Sequence, residues 1–229
     1  MKKWIAFFVA FFFSLGLTAQ NILLEKETED LYKVSEHGPN RKHYFYMYGG
    51  MGFYTALPSN VKAFNTKEWV IGIRYKRKVN PVFSMGTGLM YKMENFRFDD
   101  YSGVFEENIS YQKEKLTLSG LGSELYMRIN FDEQRGNYLG HFVDAGMYGE
   151  WIAGNAYKTY ENEGFGLFAK KKTVYKDLSF IEDFSYGVLL RMARNQWAIY
   201  IHYRLSDYAD ERIDALPRAV IGIQLGFHK

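Results

Sequence analysis

The sequence predicts an all-β protein, an up-and-down antiparallel transmembrane β-barrel of about eight strands. Three observations lead to this prediction. Aromatic residues make up 18% of the 229 residues and are mostly the 19 Tyr and 19 Phe. About eight stretches alternate apolar residues with small or polar ones, which is the period of a strand with two different faces. The connections between them are alternately short and long, as in barrels with short periplasmic turns and long extracellular loops.

The N-terminus has the pattern of an export signal. Lys2 and Lys3 precede an apolar run from Trp4 to Leu17, and small residues follow. This pattern predicts a secretory signal peptide over residues 1–19. A transmembrane anchor is the alternative, but a run of about 14 residues is shorter than the roughly 20 that span a bilayer.

Two further parts follow the predicted signal peptide. Residues 20–42 are polar, which predicts a mobile N-terminal periplasmic segment with a short helix around Leu23–Val34. Residues 43–229 carry the period-two stretches and form the predicted transmembrane β-barrel domain.

Composition excludes several kinds of site. The chain has no cysteine, so it has no disulfide framework, no thiolate zinc site and no cysteine nucleophile. A net charge of +3 gives no indication of a nucleic-acid partner.

The predicted strands differ in how clearly they alternate. The clearest sequence is WAIYIHYRL, in which Trp197, Ile199, Ile201, Tyr203 and Leu205 share one face. The stretches WVIGIRYKR and ELYMRINF repeat this design. Most of these stretches are close in length to the roughly 9 to 11 residues that a tilted membrane strand needs. In chain order the predicted strands are His43–Tyr54, Trp69–Arg77, Val82–Glu94, Glu124–Phe131, Tyr138–Ile152, Phe180–Ala193, Trp197–Leu205 and Ala219–Phe227.

The predicted connections fall into two sets. The short ones are Arg77–Pro81, Asp132–Asn137 and Arg194–Gln196. The long ones are Thr55–Glu68, Asn95–Glu114, Ala153–Ser179 and Ser206–Arg218. An even number of strands with this alternation places both ends of the barrel domain on the periplasmic side.

The volume of the side chains decides which face points outward. A soluble lipocalin-like barrel would also alternate, with its apolar face turned inward around a ligand. The apolar face here carries large residues in nearly every strand, more than an eight-stranded interior holds. The other face carries glycines and charges, so we predict that it lines the lumen and that the apolar face contacts lipid. The predicted lumen charge network comprises Arg74, Lys92, Glu94, Glu124, Arg128, Asp144, Glu150, Arg191 and Arg204.

Acids and bases occur in similar numbers in this network, which favours a plug of salt bridges, because a buried charge is costly unless it is paired. The alternative is an ion path or a proton-coupled site, although a conducting pore usually needs a wider barrel.

Large aromatic residues stand at the two ends of single strands. Trp69 with Tyr75, and Trp197 with Tyr203, lie six residues apart on the outward face. They are interpreted as an aromatic girdle at the two edges of the apolar band. The alternative is that aromatic residues occur there because they favour strands in general.

No residue is predicted to be catalytic, to bind a cofactor or to ligate a metal. His202 lies on the predicted lumen face with Ser206 and Asp207 just beyond the strand, but adjacency in sequence does not make a triad. His141 is predicted on the lipid face near the periplasmic rim. The sequence has no G-x-S-x-G motif and no pair of histidines at ligand spacing.

Two loop features are candidates for contacts outside the barrel. Lys170–Lys172 could touch anionic lipopolysaccharide, or be a solvated loop. The aromatic stretch Tyr160–Phe168 could bind a partner or fold back over the barrel.

The chain resembles the PorT-like outer-membrane β-barrel family of Bacteroidota. The resemblance rests on Leu17–Gln20, Phe142–Ile152, Asp183–Asp207 and the closing AVIGIQLGF. It implies an eight-stranded outer-membrane barrel, and a few members of the family are linked to type IX secretion and gliding. In the closing stretch, Val220, Gly222, Gln224 and Gly226 are predicted to line the lumen. Barrels that this chain resembles end on an outward aromatic residue that the barrel assembly machinery is thought to read. Phe227 holds that place here, although His228 and Lys229 follow it.

These features predict a non-catalytic outer-membrane protein, a structural or interaction component of the cell envelope or an accessory of a secretion or adhesion assembly. Its expected partners are outer-membrane lipid and lipopolysaccharide, the barrel assembly machinery and an unidentified envelope protein; no cofactor is expected. The alternatives are a barrel for passage or carriage of a small solute and, third, a lipid-modifying barrel enzyme.

Overall fold

The computed structural model describes residues 37–55, 61–62, 65–98, 113–131, 139–162, 170–208 and 216–227. The predicted signal peptide and the predicted helix at Leu23–Val34 lie outside the described residues. No helix in the described part is long and apolar enough to cross a membrane. The described residues form nine strands: β1 (His43–Thr55), β2 (Lys67–Lys78), β3 (Phe83–Arg97), β4 (Lys113–Asn130), β5 (His141–Asn162), β6 (Lys170–Lys176), β7 (Phe184–Arg194), β8 (Trp197–Arg204) and β9 (Ala219–Phe227).

Eight of these strands close into a barrel. Each of β1 to β5 and β7 to β9 pairs antiparallel with its neighbours in the chain order, and β9 pairs with β1 to complete the wall. Following the paired residues once around the barrel from Tyr44 leads back to β1 at Tyr54. This displacement along β1 is the stagger that a closed barrel of tilted strands requires. The predicted fold class is confirmed.

The two faces of the wall follow the alternation in the sequence. In β9, Val220 and Gln224 are buried inside the barrel, whereas Ile221 and Ile223 are exposed on its outside. The same division holds around the wall, and Arg128 is 0% exposed while its neighbours Met127 and Ile129 are 56% and 47% exposed. The interior is therefore polar and packed, and the outer surface is apolar.

Short turns connect strands at one end of the barrel, here called the turn rim. Between β7 and β8 the turn is Asn195–Gln196, and Asn195 has a positive φ of 54°. Asparagine is one of the few residues that adopt this left-handed conformation readily, which suits a two-residue hairpin. Between β2 and β3 the Asn80 side chain accepts hydrogen bonds from the backbone N–H groups of Val82 (3.0 Å) and Phe83 (2.7 Å). The opposite end is called the loop rim.

The prediction of one long loop over Ala153–Ser179 is wrong. Strand β5 continues to Asn162 and pairs with β6, so much of the predicted loop is a hairpin that extends the sheet at the loop rim. Lys171 and Lys172 are exposed on β6 rather than in a loop. Of the predicted partner-binding stretch, residues 160–162 belong to β5 and residues 163–168 lie outside the described residues. Strands β3 and β4 also run further toward the loop rim than predicted.

A β-bulge explains why the alternation of apolar and polar residues stops partway along β5. The register with β4 shifts between Ser119 and Gly120, which pair with Gly154 and Ile152 and leave Ala153 between them. Buried positions are even-numbered up to Ile152 and odd-numbered at Tyr157 and Thr159. A bulge inserts one residue into one strand, and it therefore exchanges the two faces beyond it.

The last residues of the predicted N-terminal segment, 37–42, contact the barrel. The Gly38 N–H donates to the carbonyl oxygen of His43 (2.9 Å). Pro39 is buried, and its carbonyl oxygen accepts a hydrogen bond from Lys76 Nζ. Residues 37–42 therefore fold against the turn rim.

Candidate functional site: the charged barrel interior

All nine residues of the predicted lumen charge network are buried, with at most 3% of each exposed. Their strands alternate strictly at these positions, so every charge points away from the apolar outer face. The interior holds further polar residues that sequence analysis did not place in the network: Glu68, Lys76, His202 and Gln224. Lys76, His202 and Gln224 were on predicted lumen faces, whereas Glu68 was assigned to the end of a long loop.

Three arginines and two acids form one group toward the turn rim, here called the arginine cluster (Arg74, Glu124, Arg128, Asp144 and Arg191). Asp144 accepts from Arg128 Nε (2.7 Å), Arg128 Nη2 (3.0 Å) and Arg191 Nε (3.1 Å). Glu124 accepts from Arg191 Nη1 (3.0 and 3.1 Å to its two oxygens) and is ion-paired with Arg74. The cluster thus joins strands β2, β4, β5 and β7 across the interior, and one of its three positive charges has no carboxylate of its own.

Aromatic rings stack on the guanidinium groups of the arginine cluster. The guanidinium carbon of Arg74 lies 3.3 Å from the ring centroid of Tyr48, and that of Arg128 lies 3.5 Å from that of Phe142. Such cation–π contacts partly replace the hydration that the buried guanidinium groups have lost.

A second group of opposite charge lies toward the loop rim, here called the lysine cluster (Glu68, Lys92, Glu94 and Glu150). Lys92 Nζ lies 2.5 Å from Glu150 Oε2, 3.2 Å from Glu94 Oε1 and 3.7 Å from Glu68 Oε2. Tyrosine hydroxyls donate to two of these acids: Tyr200 to Glu68 (2.9 Å) and Tyr54 to Glu94. The sequence predicted salt bridges, and the structure separates them into two clusters of unequal charge.

Arg204, the ninth predicted residue, joins neither cluster. Its Nη2 donates to the carbonyl oxygens of Leu216 (3.1 Å) and Pro217 (3.2 Å), and its guanidinium stacks on the Tyr208 ring at 3.6 Å. It therefore holds the connection between β8 and β9 over the loop rim. Tyr208 lies in that connection, and burial, reinforced by the nearby charge of Glu94, raises its pKa well above the usual value.

Tyrosines fill much of the remaining interior, in addition to the outward tyrosines of the predicted girdle. Glycines at the paired positions of neighbouring strands make room for the rings. A Cβ atom on Gly222 would lie 2.4 Å from the ring of Tyr200, and one on Gly86 would lie 2.4 Å from that of Tyr126. The signal was in the sequence, because glycines and tyrosines both recur at lumen positions. In the described ranges, the buried tyrosines are Tyr44, Tyr46, Tyr48, Tyr54, Tyr126, Tyr148, Tyr157, Tyr200 and Tyr208.

The four predicted girdle residues all lie on the outer face. Trp69, Trp197 and Tyr203 are 48%, 61% and 45% exposed. Tyr75 is half-buried because its ring packs on Phe45, with centroids 4.7 Å apart, and its hydroxyl lies 2.7 Å from His43 Nδ1. Their role at a membrane interface stays a prediction.

Among the residues that the structure describes, His202, Ser206 and Asp207 do not come together as a triad. His202 Nδ1 lies 3.3 Å from Glu68 Oε1, while Ser206 Oγ lies 3.3 Å from Ser185 Oγ and Asp207 is ion-paired with Arg218. His141 is exposed at the turn-rim end of β5. Among the described residues, no group of three or more His, Asp or Glu is arranged to hold a metal ion.

A search for relatives finds no matching protein-family model and no matching curated protein. The similar solved structures include two of Ail, the attachment invasion locus protein of Yersinia pestis. The first is 12% identical, covers 81% of this chain and 99% of the Ail chain, and has a TM-score of 0.37. The second, in complex with the heparin analogue sucrose octasulfate, is 12% identical, covers 80% and 97%, and has a TM-score of 0.32. Similarity at this level says nothing about the function of this chain.

Proposed function

We propose that this protein is a non-catalytic, non-conducting β-barrel of the outer membrane that serves as a structural or interaction component of the cell envelope. The main support for this proposal is the contrast between the two faces of the barrel wall. The interior is filled by buried, ion-paired side chains, and the outer face exposes large apolar residues from all eight strands of the wall. In water such a continuous apolar surface would drive aggregation, whereas in a bilayer it is stable.

The two charged clusters act as a plug. An eight-stranded barrel has an interior just wide enough for side chains to fill. The arginine cluster lies toward the turn rim and the lysine cluster toward the loop rim. Their ion pairs reach over an intervening strand, from Arg191 on β7 to Glu124 on β4 and from Lys92 on β3 to Glu150 on β5. An ion passing through would have to displace these pairs, and breaking a buried pair is costly.

The plug predicts that the barrel does not conduct. Purified protein inserted into planar bilayers at high potassium chloride concentration is expected to give no steady single-channel steps, while a general porin added to the same bilayer conducts. Reproducible unitary currents from the protein would contradict the plug and favour the alternative, passage of small solutes.

The proposal includes partners that the location implies, namely outer-membrane lipid, lipopolysaccharide and the barrel assembly machinery. Phe227 ends the last strand, pairs with Met47 of β1 and is 59% exposed on the outer face. This position supports the proposed role of Phe227 as an assembly signal.

Replacing Phe227 with alanine is therefore expected to lower the amount of folded barrel in the outer-membrane fraction at least several-fold. Folded barrel is measured by its altered migration on gels without boiling. The matched control is His228→Ala, which is expected to assemble at the wild-type level. Equal assembly of the two variants would count against Phe227 as the signal.

We also propose that the PorT-like resemblance reflects kinship and that the loop rim carries a protein partner, as an accessory of a secretion or adhesion assembly. Support comes from the hairpin of β5 and β6, which extends the sheet at this rim. Val174 and Tyr175 on β6 are 40% and 44% exposed there.

A further inference from the structure

A small cavity lies inside the turn-rim half of the barrel, next to the arginine cluster. Its volume is about 20 Å³, and its lining includes Tyr46, Arg74, Asp144, Arg191 and Gln224. The turn residues Asn195 and Gln196 also line it. The cavity therefore lies between the arginine cluster and the β7–β8 turn.

Two residues that line this cavity each keep a buried N–H group without a hydrogen-bond partner in the described part of the chain, Arg191 at Nη2 and Gln224 at Nε2. Both side chains are 1% exposed. The orientation of the Gln224 amide is set by Arg74, because Arg74 Nη2 donates to Gln224 Oε1 (2.9 Å) and leaves the amide nitrogen for another partner. Buried donors are nearly always satisfied, so these two point to something that accepts.

The charge around the cavity favours a negative occupant. The arginine cluster contains three guanidinium groups and two carboxylates, which leaves one positive charge unbalanced. A water molecule would satisfy the free donors but would leave the excess positive charge of the arginine cluster without a neighbouring anion, because the surplus acids of the lysine cluster lie toward the loop rim.

We propose that this cavity binds a monovalent inorganic anion of the size of chloride, held by Arg191, Gln224 and the positive field of Arg74. A space of this volume accommodates about one water-sized sphere. It admits a halide but excludes tetrahedral oxyanions such as phosphate or sulfate. The bound anion completes the charge balance of the arginine cluster and so stabilises the folded barrel.

The first test measures thermal unfolding of the purified full-length protein in detergent micelles at constant ionic strength. When chloride or bromide replaces gluconate, the midpoint is expected to rise in proportion to the logarithm of halide concentration once the site begins to fill. Sulfate is expected to give no such rise. An identical midpoint in chloride and gluconate would overturn the proposal.

Substitution of Gln224 locates the effect. Gln224→Glu places a carboxylate beside Arg74 and Arg191, so its midpoint is expected to become independent of halide. Gln224→Met removes the donor without adding charge, and the halide concentration that produces half of the rise is expected to increase about tenfold or more. The matched control, Tyr200→Phe, alters the lysine cluster and is expected to keep the wild-type halide response. An unchanged halide response in both Gln224 variants would overturn the site.

Direct observation completes the test. In crystals of the full-length protein grown with sodium bromide, an anomalous bromide peak is expected within hydrogen-bonding distance of Arg191 Nη2 and Gln224 Nε2. A cavity with no anomalous peak, holding only water, would refute the proposal, whatever the membrane role of the barrel.

Discussion

Replacing Asp144 with asparagine is expected to destabilise the folded barrel by about 3–5 kcal/mol, the cost typical of breaking a buried ion pair from one side. Asp144 is 0% exposed and accepts hydrogen bonds from both Arg128 and Arg191. The asparagine side chain is nearly isosteric but neutral. The three arginines of the cluster would then have a single carboxylate, that of Glu124, to balance their charges.

Urea unfolding of the protein in phospholipid vesicles, followed by tryptophan fluorescence, measures this change. The matched control is Asp207→Asn. Asp207 also pairs with an arginine, Arg218, but the two side chains are 64% and 39% exposed. An exposed pair contributes about 0–1 kcal/mol, so the control should remain close to wild type. If both variants lost the same small amount of stability, the arginine cluster would not hold the barrel together as described.

Replacing Leu125 with arginine is expected to cost about 2–4 kcal/mol of unfolding free energy in a bilayer. Leu125 lies on β4 and is 48% exposed on the outer face. Other residues of this face lie on both sides of it along the strand, toward the turn rim and toward the loop rim. If this face contacts lipid, a charge there lies near the middle of the hydrocarbon layer. If the barrel were surrounded by water, an exposed Leu-to-Arg change would alter stability by only about 0.5 kcal/mol.

Phe131→Arg provides the matched control for depth. Phe131 follows β4 directly at the turn rim and is 66% exposed. A charge near the membrane interface costs only about 0–1 kcal/mol. The two substitutions should therefore differ strongly in unfolding free energy, although each replaces an exposed apolar residue of the same face with arginine. Equal, small effects in lipid vesicles would contradict a membrane location for the outer face.

The local sequence carries enough information to predict the wall. A strand places successive side chains on opposite faces, so Trp197, Ile199 and Ile201 indicate one face of β8 wherever the strand lies. Closure is then expected from the number of such strands and the alternation of short and long connections. The predicted strand Ala219–Phe227 agrees with β9 residue for residue, because no bulge interrupts its period.

Because these predictions use only the local sequence pattern, they fail where that pattern is interrupted or absent. A bulge opposite Ser119 and Gly120 exchanges the faces of β5 beyond Ile152, so the alternation that marked the strand stops although the strand does not. Short polar segments such as Lys170–Lys176 carry no clear period, and β6 forms because the extended β5 offers it an edge.

For the charged interior, the sequence by itself determined that the nine residues of the predicted network face inward and that acids and bases are both present, since facing is a property of one strand. It did not determine partners. Whether Arg191 meets Glu124, or Arg204 turns instead to the carbonyls of Leu216 and Pro217, depends on the register and stagger of strands far apart in the chain. Only the closed barrel decided this, because ion pairing acts over a few ångströms in space and not along the sequence.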